Sequence, residues 1–366
     1  MPTAPFVEGR VHAYIEDFCR KLRRVTAAHD RAGNILMRYR GDSRRIRRPV
    51  CLSAHTDHPG FVAERMIAPG RLRATWRGGV RPVYFRGARV RFLVGNEWVR
   101  GRVRSVRTGG RGATRRVETA DVDVRRPVPA GAIGMWDLPD ARIRNGRVYA
   151  RGCDDLAGVA AMLCCLETLS RRKARTEAYF LFTRAEEVGF VGAMAACRQR
   201  TVPERCLVVT VETSSQLRDA RMGDGPILRV GDKATTYFSA ATSYCQAIAD
   251  AVGKRDRTFA YQRKLMDGGT CESTVYCQFG YEATGLCLAL GNYHNMNLRT
   301  GRIGAEYVDL ADFANLVKWF VALTTTRDPY TGTHTALRTR LRKIEREHAT
   351  LLRKTRNAVV PAADRS

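Results

Sequence analysis

Long apolar runs are missing from this sequence, and no stretch approaches the ~20 consecutive apolar residues that a membrane-spanning helix needs. The first residues also lack the basic start and apolar middle of a secretory signal. No Cys-x-x-Cys pair occurs at zinc-ribbon spacing, although the sequence contains 11 cysteines. These cysteines are typical of small buried hydrophobic residues in a reducing compartment. We therefore expect a soluble, cytoplasmic protein that has no contact with membranes.

Acidic residues, histidine and lysine are scarce. The chain has 36 Asp and Glu against 63 Lys and Arg, which gives a net charge of +27, and it has only 7 His. Most of the cations are arginines, spread along the whole chain without the interleaved aromatic residues of a nucleic-acid platform. Net charge of this kind affects solubility and non-specific contacts. Specific nucleic-acid binding is therefore not expected.

Strand-like and helix-like segments alternate along most of the chain. Buried strands are predicted at residues 34–39, 50–54, 178–182, 206–211 and 284–290. Helices are predicted at residues 7–28, 156–169 and 310–320. The first of these helices is indicated by apolar residues that recur at spacings of three and four. The alternation predicts an α/β fold with a central, mostly parallel sheet flanked by helices.

Between residues 62 and 147 the pattern changes to short runs rich in Val, Arg, Phe and Tyr, separated by glycine-containing turns. Strands are predicted there at residues 80–85, 88–94, 98–106 and 117–124. Short strands without a helical period indicate a small β-barrel or sandwich. We therefore predict a main domain of residues 1–61 and 148–328, an inserted β-barrel-like domain at 62–147, and a basic helical tail at 329–366.

Two acidic doublets are conspicuous because acidic residues are otherwise scarce. Each doublet follows a predicted strand, as do a His-x-Asp motif, one further glutamate and one further histidine. These candidates are His55-Thr56-Asp57, Asp154-Asp155, Glu186-Glu187, Glu212 and His294. In open α/β sheets the carboxyl ends of the strands form the ligand-binding edge. Adjacent carboxylates repel each other unless positive charge lies beside them, so the combination predicts a site for two divalent metal ions.

Each ion of a metal pair needs a bridging carboxylate and one or two further ligands. Asp154 is the predicted bridge. Glu187 is expected to act with either His55 or His294, and Glu212 is the remaining carboxylate. Taken singly, a His or Glu after a strand is more often a cap or a surface residue, so the prediction depends on their combination.

Two further acidic residues are predicted to support the chemistry rather than to bind metal. Asp57 follows His55 closely enough to accept the second imidazole N–H and fix its tautomer, although it could also be a loop carboxylate. Glu186 is the predicted general base, which takes a proton from a metal-bridging water and delivers it to a leaving amine. The alternatives for Glu186 are a second ligand or an ion-pair partner of Arg184.

At these residues the chain closely resembles the glutamyl-aminopeptidase and tetrahedral-aminopeptidase family, family forty-two of the metallopeptidases. The likeness extends from the first helix to about residue 325, and it includes the β-rich insertion between the His-x-Asp and Asp-Asp motifs. It rests on the segments 55–61, 154–158, 186–189, 223–226, 261–262 and 268–270.

The resemblance implies a zinc-exopeptidase-like fold in which the main domain is the catalytic metallopeptidase domain. It implies an aminopeptidase with two divalent ions per subunit, usually zinc or cobalt, that cleaves peptides with a free N-terminus and forms homo-oligomers. By the resemblance, His55 and Glu212 are terminal ligands, one on each metal, and Asp154 bridges the two. Glu187 and His294 complete the sites, Glu186 is the catalytic base, and a cis peptide bond follows Asp154.

Four positions depart from the family pattern. Leu156 stands where an Arg commonly follows the Asp pair, Glu212 replaces an Asp, and Cys271 follows Gly-Gly-Thr where Asp is typical. The segment after His294 lacks the usual Ser-Pro, and the next acid is Glu306. Two alternatives stay open. One is a related amidohydrolase, deacylase or carboxypeptidase of the same catalytic layout, and the other is an inactive basic protein that binds nucleic acid or serves as a scaffold.

Overall fold

The computed structural model describes residues 1–41, 48–112, 115–328, 330–332 and 335–356. The chain divides into two units, Met1–Tyr330 and Thr331–Ser366. The smaller unit contains one helix of the predicted basic tail. Residues 329, 333–334 and 357–366 of that tail lie outside the described residues. No helix in the described ranges is both long enough and apolar enough to cross a membrane.

Helices and strands follow one another along the larger unit. Its first half contains α1 (Gly9–Arg20), β1 (Val25–His29), β2 (Ile35–Arg40), β3 (Val50–His55), β4 (Gly60–Ala68), β5 (Arg71–Arg77), β6 (Arg89–Val94), β7 (Glu97–Gly109), β8 (Arg116–Val124), β9 (Ile133–Trp136), β10 (Arg142–Arg144) and β11 (Arg147–Ala150). Its second half contains α2 (Cys153–Arg171), β12 (Glu177–Thr183), α3 (Val191–Arg198), β13 (Leu207–Ser215), β14 (Ile227–Asp232), α4 (Ser239–Arg255), β15 (Gln262–Met266), α5 (Glu272–Gln278), β16 (Ala283–Leu290), β17 (Met296–Asn297), β18 (Arg302–Ile303), β19 (Glu306–Asp309) and α6 (Leu310–Thr325). The helix of the smaller unit is α7 (Thr335–Lys354).

An eight-stranded mixed sheet forms the centre of the larger unit, in the order β1-β2-β12-β3-β13-β16-β14-β15. The neighbours β12/β3, β3/β13, β13/β16 and β14/β15 are parallel, and the other neighbours are antiparallel. The predicted fold class, a mostly parallel sheet flanked by helices, is confirmed.

Both faces of this sheet are covered, so its central strands are apolar on both sides. In β3, Leu52 packs in the cluster that contains α1, α2, α4 and α6, whereas Cys51 packs on the opposite face with α3 and α5. Every residue of β3 is buried. A strand that is buried on both faces appears in the sequence as a continuous apolar run, which made β3 recognisable.

The predicted barrel is present, because β4 to β9 close on themselves in the order β4-β5-β8-β7-β6-β9. Alternate residues of β5 are buried, namely Leu72, Ala74 and Trp76. Aromatic rings fill the interior, with the Trp76 ring centroid 4.5 Å from that of Phe61 and 4.9 Å from that of Phe85. The barrel strands therefore end at Trp136, and β10 and β11 belong to a separate three-stranded sheet with β19.

Two element predictions are wrong. Residues 80–85 are not a strand, because Pro82 fixes its own φ and lacks an N–H, and a 3₁₀ turn forms at Pro82–Tyr84. The first helix ends at Arg20 rather than continuing to residue 28. Leu22 and Val25 still pack against the core, but Val25 does so from strand β1. Apolar spacing alone therefore did not show where the helix stops.

Candidate metal centre

The predicted site residues converge at the edge where β3, β12, β13 and β16 end. His55 is the last residue of β3, and Glu212 lies near the end of β13. Glu186 and Glu187 follow β12, and His294 follows β16. The side chains of His55, Glu212 and His294 are buried. The structure thus brings to one edge residues that are far apart in sequence, as the strand-end pattern predicted.

Asp154 lies between the two histidines, at the start of α2. Its Oδ1 is 3.5 Å from His55 Nε2, and its Oδ2 is 3.5 Å from His294 Nε2. Thr213 Oγ1 donates a hydrogen bond of 3.0 Å to Asp154 Oδ1. The peptide bond between Asp154 and Asp155 is cis, as the resemblance implied. Asp154 therefore has the position expected of a bridging carboxylate.

Two groups of potential ligands share Asp154, one with His55 and Glu212 and one with Glu187 and His294. Within each group the ligand atoms lie within 4.8 Å of one another. This grouping puts His55 and Glu212 together, whereas the resemblance implied one of them on each metal. Because β3 and β13 are neighbouring parallel strands, with Ser53 opposite Thr210, their ends bring these two side chains to the same side of Asp154.

The centre concentrates buried carboxylates. Among the described residues, no Lys or Arg forms an ion pair with Asp154, Glu186, Glu187 or Glu212. Oε1 of Glu187 and Oε1 of Glu212 are buried without a hydrogen-bond partner. Burial raises the pKa of Glu212 to about 8. A desolvated carboxylate oxygen in this state needs a proton or a cation. Imidazole nitrogens and carboxylate oxygens are ligands of zinc and related divalent ions, so the residues present fit such ions.

The two histidines respond to the same crowding of negative charge. Burial alone would lower the pKa of His55, but the carboxylates of Glu186, Asp154 and Asp57 outweigh burial and raise it well above its usual value. For His294 the carboxylates of Glu187 and Asp154 have the same effect. Positive charge is therefore favoured on both sides of Asp154.

Asp57 contacts both His55 and the glutamate doublet. Its carboxylate accepts the backbone N–H of Glu186 at 3.0 Å and that of Glu187 at 3.1 Å. His55 Nδ1 lies 3.2 Å from the Asp57 carbonyl oxygen and 3.5 Å from its carboxylate. The carbonyl is thus the nearer acceptor for the imidazole N–H, and the carboxylate mainly fixes the doublet.

Glu186 is outside the two groups that share Asp154, but it forms a third group with His55 and Glu187, so its alternative role as a further ligand stays open. Its Oε2 is 3.9 Å from His55 Nε2, and it lines a cavity of about 120 Å³ together with Asp154 and Glu212. It does not pair with Arg184, because Arg184 Nε donates to Glu8 Oε2 at 2.9 Å. The ion-pair alternative for Glu186 is therefore wrong.

Three residues that contribute to the centre were not predicted from the sequence, namely Gly79, Glu306 and Arg229. His294 Nδ1 donates to the carbonyl of Gly79 at 2.8 Å, which leaves Nε2 to face the carboxylates. Glu306 is fully buried, and its Oε2 accepts the backbone N–H of Asp154 at 3.0 Å. Arg229 is buried in the wall of the 120 Å³ cavity. Glu306 begins β19 instead of following a strand, so it lacks the strand-end position that marked the other acids, and a main-chain carbonyl such as that of Gly79 leaves no signal in the sequence.

The departure after His294 has a structural explanation. Between His294 and Glu306 the chain forms a small hairpin of β17 and β18, in which Met296 lies opposite Ile303. The hairpin returns the chain to β19, where Glu306 begins the strand. The late acid therefore still reaches Asp154.

The model of the M42 glutamyl aminopeptidase family matches residues 33–299 of this chain. The chain belongs to this family. It is accordingly a peptide-bond hydrolase of the metal-dependent aminopeptidase type, as the motifs predicted. The matched range contains every residue of the two groups that share Asp154.

Similar proteins agree with this membership. "Putative aminopeptidase" of Acetivibrio thermocellus is 23% identical over 308 residues, which cover 80% of this chain and 86% of that protein. The fold is similar to that of the TET1 peptidase of Pyrococcus horikoshii, with a TM-score of 0.70, 19% identity, and coverage of 88% of this chain and 96% of that one. It is also similar to an aminopeptidase of Desulfurococcus kamchatkensis, with a TM-score of 0.72, 20% identity, and coverage of 89% and 91%.

Proposed function

We propose that this M42 peptidase is a dinuclear aminopeptidase whose two ions are zinc or cobalt. The position of Asp154 carries the proposal, because each of its carboxylate oxygens faces a different histidine at 3.5 Å. His55 and Glu212 would hold one ion, Glu187 and His294 would hold the other, and Asp154 would contribute to both sites. Each group offers one imidazole and two carboxylates, a donor set that suits a catalytic divalent ion.

Divalent ions bound there supply positive charge that polarises a peptide carbonyl and lowers the pKa of a water molecule. Glu186 acts as the general base in this proposal, because it lines the same cavity as Asp154 but is outside both groups that share Asp154. Its carboxylate accepts the proton of the attacking water and then, as a carboxylic acid, donates it to the leaving amine. Asp57 keeps Glu186 in position through its backbone N–H.

We further propose that the enzyme prefers an acidic N-terminal residue, in keeping with the glutamyl aminopeptidases of its family. Arg229 Nη1 donates to Ser214 Oγ at 3.1 Å, while its Nε is buried without a partner. Among the described residues no carboxylate forms an ion pair with Arg229, and Cys271 lies in the same cavity wall. Arg229 is attracted to Glu212 only at longer range, so a substrate carboxylate at the buried Nε would add a direct, charge-assisted hydrogen bond.

The glycine at position 285 packs beside Arg229. Gly285 lies opposite Arg229 in the antiparallel pair of β14 and β16. A Cβ at Gly285 would lie 2.8 Å from Ser273 Oγ, 3.1 Å from Thr210 Oγ1 and 3.3 Å from Arg229 Cδ, so a side chain there would crowd all three residues.

Assembly, compartment and domain limits are part of the proposal. The P. horikoshii TET1 peptidase assembles into a tetrahedron or a large octahedral shell, and we propose a homo-oligomer for this chain as well. We propose a cytoplasmic location because all eleven cysteines are free thiols, nine of them buried. For the domain limits, we propose that residues 62–147 form the inserted domain.

Metal analysis combined with a substrate panel tests the proposal. The purified protein should contain two divalent ions per chain and should release the first residue of free-amine peptides but not of N-acetylated ones. Among aminoacyl anilides, Glu and Asp should be better substrates than Ala or Lys. A metal-free, inactive protein would reject the proposal, and equal cleavage of blocked peptides would favour a deacylase.

A further inference from the structure

A second, larger cavity adjoins the one beside the metal centre. Its volume is about 630 Å³, against about 120 Å³ for the first, and the two share Ser215 and Tyr293 in their walls. The Tyr293 ring stacks on that of His294, with the centroids 3.8 Å apart. The larger cavity therefore begins beside the candidate metal ligands and leads away from them.

The larger cavity is basic. Three arginines line it, Arg81, Arg147 and Arg299, and its lining contains no Asp or Glu. Within the described ranges, none of the three forms an ion pair with a carboxylate. They come from separate parts of the chain: the segment before the Pro82–Tyr84 turn, strand β11 and the β17–β18 turn. Arginines from three separate segments therefore line one cavity whose wall contains no acidic residue.

An aromatic contact holds the Arg147 side chain without neutralising its charge. The Arg147 guanidinium lies 5.2 Å from the centre of the Tyr307 ring, and that ring packs against Tyr149. Asp309 lies opposite Arg147 in the β11–β19 pair, but its carboxylate accepts the N–H groups of Ala311 and Asp312 at the start of α6. The nearest acid in the sheet is therefore engaged as a helix cap.

We propose that this basic cavity binds the leaving part of the peptide and recognises a carboxylate on it. The inference rests on the proposed function and extends it to the other side of the scissile bond. The smaller cavity is the size of one side chain, so a peptide with its first carbonyl at Asp154 puts its N-terminal residue there and its remainder in the larger cavity. The carboxylate comes from an acidic side chain after the scissile bond or from the C-terminus of a short peptide.

Matched substrates with one constant N-terminal residue X test this inference and separate the two sources. X-Asp-Ala-amide against X-Asn-Ala-amide measures recognition of a side-chain carboxylate, and X-Ala-Ala against X-Ala-Ala-amide measures recognition of a terminal one. The anilide of X has no peptide after the scissile bond, so its hydrolysis measures the basal aminopeptidase activity alone. The test protein is the double variant Arg147→Gln/Arg299→Gln. The control is Arg144→Gln, because Arg144 is an exposed residue of β10 that does not line the cavity.

In at least one pair, the wild type should show kcat/KM up to about fivefold higher for the charged peptide, the upper end of what one exposed charge pair contributes. The double variant should reduce this preference to less than about twofold and leave the anilide unchanged, and 0.5 M salt should weaken it. If the anilide is cleaved but neither pair shows a preference, the inference is wrong while the aminopeptidase assignment stands. An equal effect of Arg144→Gln also contradicts it, and an uncleaved anilide overturns the proposed function together with this inference.

Discussion

Residues 186 and 187 have the same chemistry but different surroundings. Glu187 Oε2 lies 3.0 Å from His294 Nε2, and its other carboxylate oxygen has no partner. Glu186 Oε2 lies 3.9 Å from His55 Nε2, on the other side of the centre. Both backbone N–H groups are held by Asp57, so the two consecutive side chains point to different parts of the site. One acidic doublet can therefore supply both a ligand and a base.

Glu186→Gln should keep the bound metal and lose turnover. The amide is nearly the same size as the carboxylate but cannot accept the proton of the attacking water, so kcat should fall by about 10²- to 10⁴-fold. Metal content by elemental analysis and kcat on an aminoacyl anilide measure the two effects separately. Glu167→Gln is the control, because Glu167 is exposed on α2. Retained activity in the Glu186 variant would exclude it as the base.

Arg229→Gln should remove the preference for acidic N-terminal residues. A charge-assisted hydrogen bond contributes about 1.5–3 kcal/mol, so kcat/KM for a Glu anilide should fall by about 10- to 100-fold. The value for an Ala anilide should change much less, because its side chain does not reach the guanidinium. Arg229→Lys keeps the charge and should recover part of the selectivity. An equal loss on both substrates would mean that Arg229 has only a structural role.

The site residues could be predicted individually, but not their grouping. His55, Asp154 and Glu212 follow apolar strands in a chain where acids are rare, which made them recognisable. That His55 and Glu212 face one side of Asp154 depends on β3 and β13 being neighbours, which sequence order does not reveal. The carbonyl of Gly79 contributes through the backbone, so no side-chain pattern could identify it.

The side chain of Glu177, the first residue of strand β12, anchors this strand to its neighbours. Glu177 Oε1 accepts hydrogen bonds from Arg38 Nη2 of β2 at 2.6 Å, from Arg205 Nη2 at 3.0 Å and from Tyr179 at 2.9 Å. The Glu177 side chain is 2% exposed. One buried carboxylate thereby fixes β12 against β2 and the segment after α3.

Glu177→Gln should destabilise the fold in a pH-dependent way. Burial alone would raise the pKa of Glu177, but Tyr179 and the two arginines lower it below its usual value of 4.5. A lowered folded-state pKa means that the carboxylate stabilises the protein fully above about pH 4.5 and that this contribution is lost as the pH falls through the folded pKa. The variant should lose about 1–3 kcal/mol at pH 7 in urea unfolding, and less at pH 3.5.

The control for this experiment is Glu204→Gln, whose carboxylate makes an exposed ion pair with Arg200. That variant should lose no more than about 0.5 kcal/mol at either pH. If the stability gap between wild type and Glu177→Gln is the same at pH 7 and pH 3.5, the charge of Glu177 does not contribute to stability.

Elements with one strong signal were predictable, and those set by their neighbours were not. The buried strands β3, β12, β13 and β16 were found because both of their faces are apolar. Helix α1 was predicted too long, because apolar residues continue at helical spacing into β1. The β17–β18 hairpin is only two residues per strand, too short for a period to show in sequence.

At the scale of the whole molecule, a chain with a net charge of +27 surrounds an acidic centre. The centre draws on residues from 55 to 306, and Gly79 connects it to the segment that follows barrel strand β5. Among the described residues, Asp154, Glu186, Glu187 and Glu212 form ion pairs only with histidine. Cations bound at the centre would therefore stabilise the meeting point of several strands and of α2.

Removal of metal should consequently lower the stability of the entire fold. A ligand that binds only the folded state stabilises it by about 2.7 kcal/mol when its free concentration is 100 times its Kd. Treatment with a chelator should lower Tm by several degrees, and added zinc or cobalt should restore it. Asp154→Asn should weaken this response, because it removes charge from the carboxylate shared by both groups, whereas Glu186→Gln should keep it. Elemental analysis first has to show that the protein contains metal. If the chelator then leaves Tm unchanged, bound metal does not stabilise the fold.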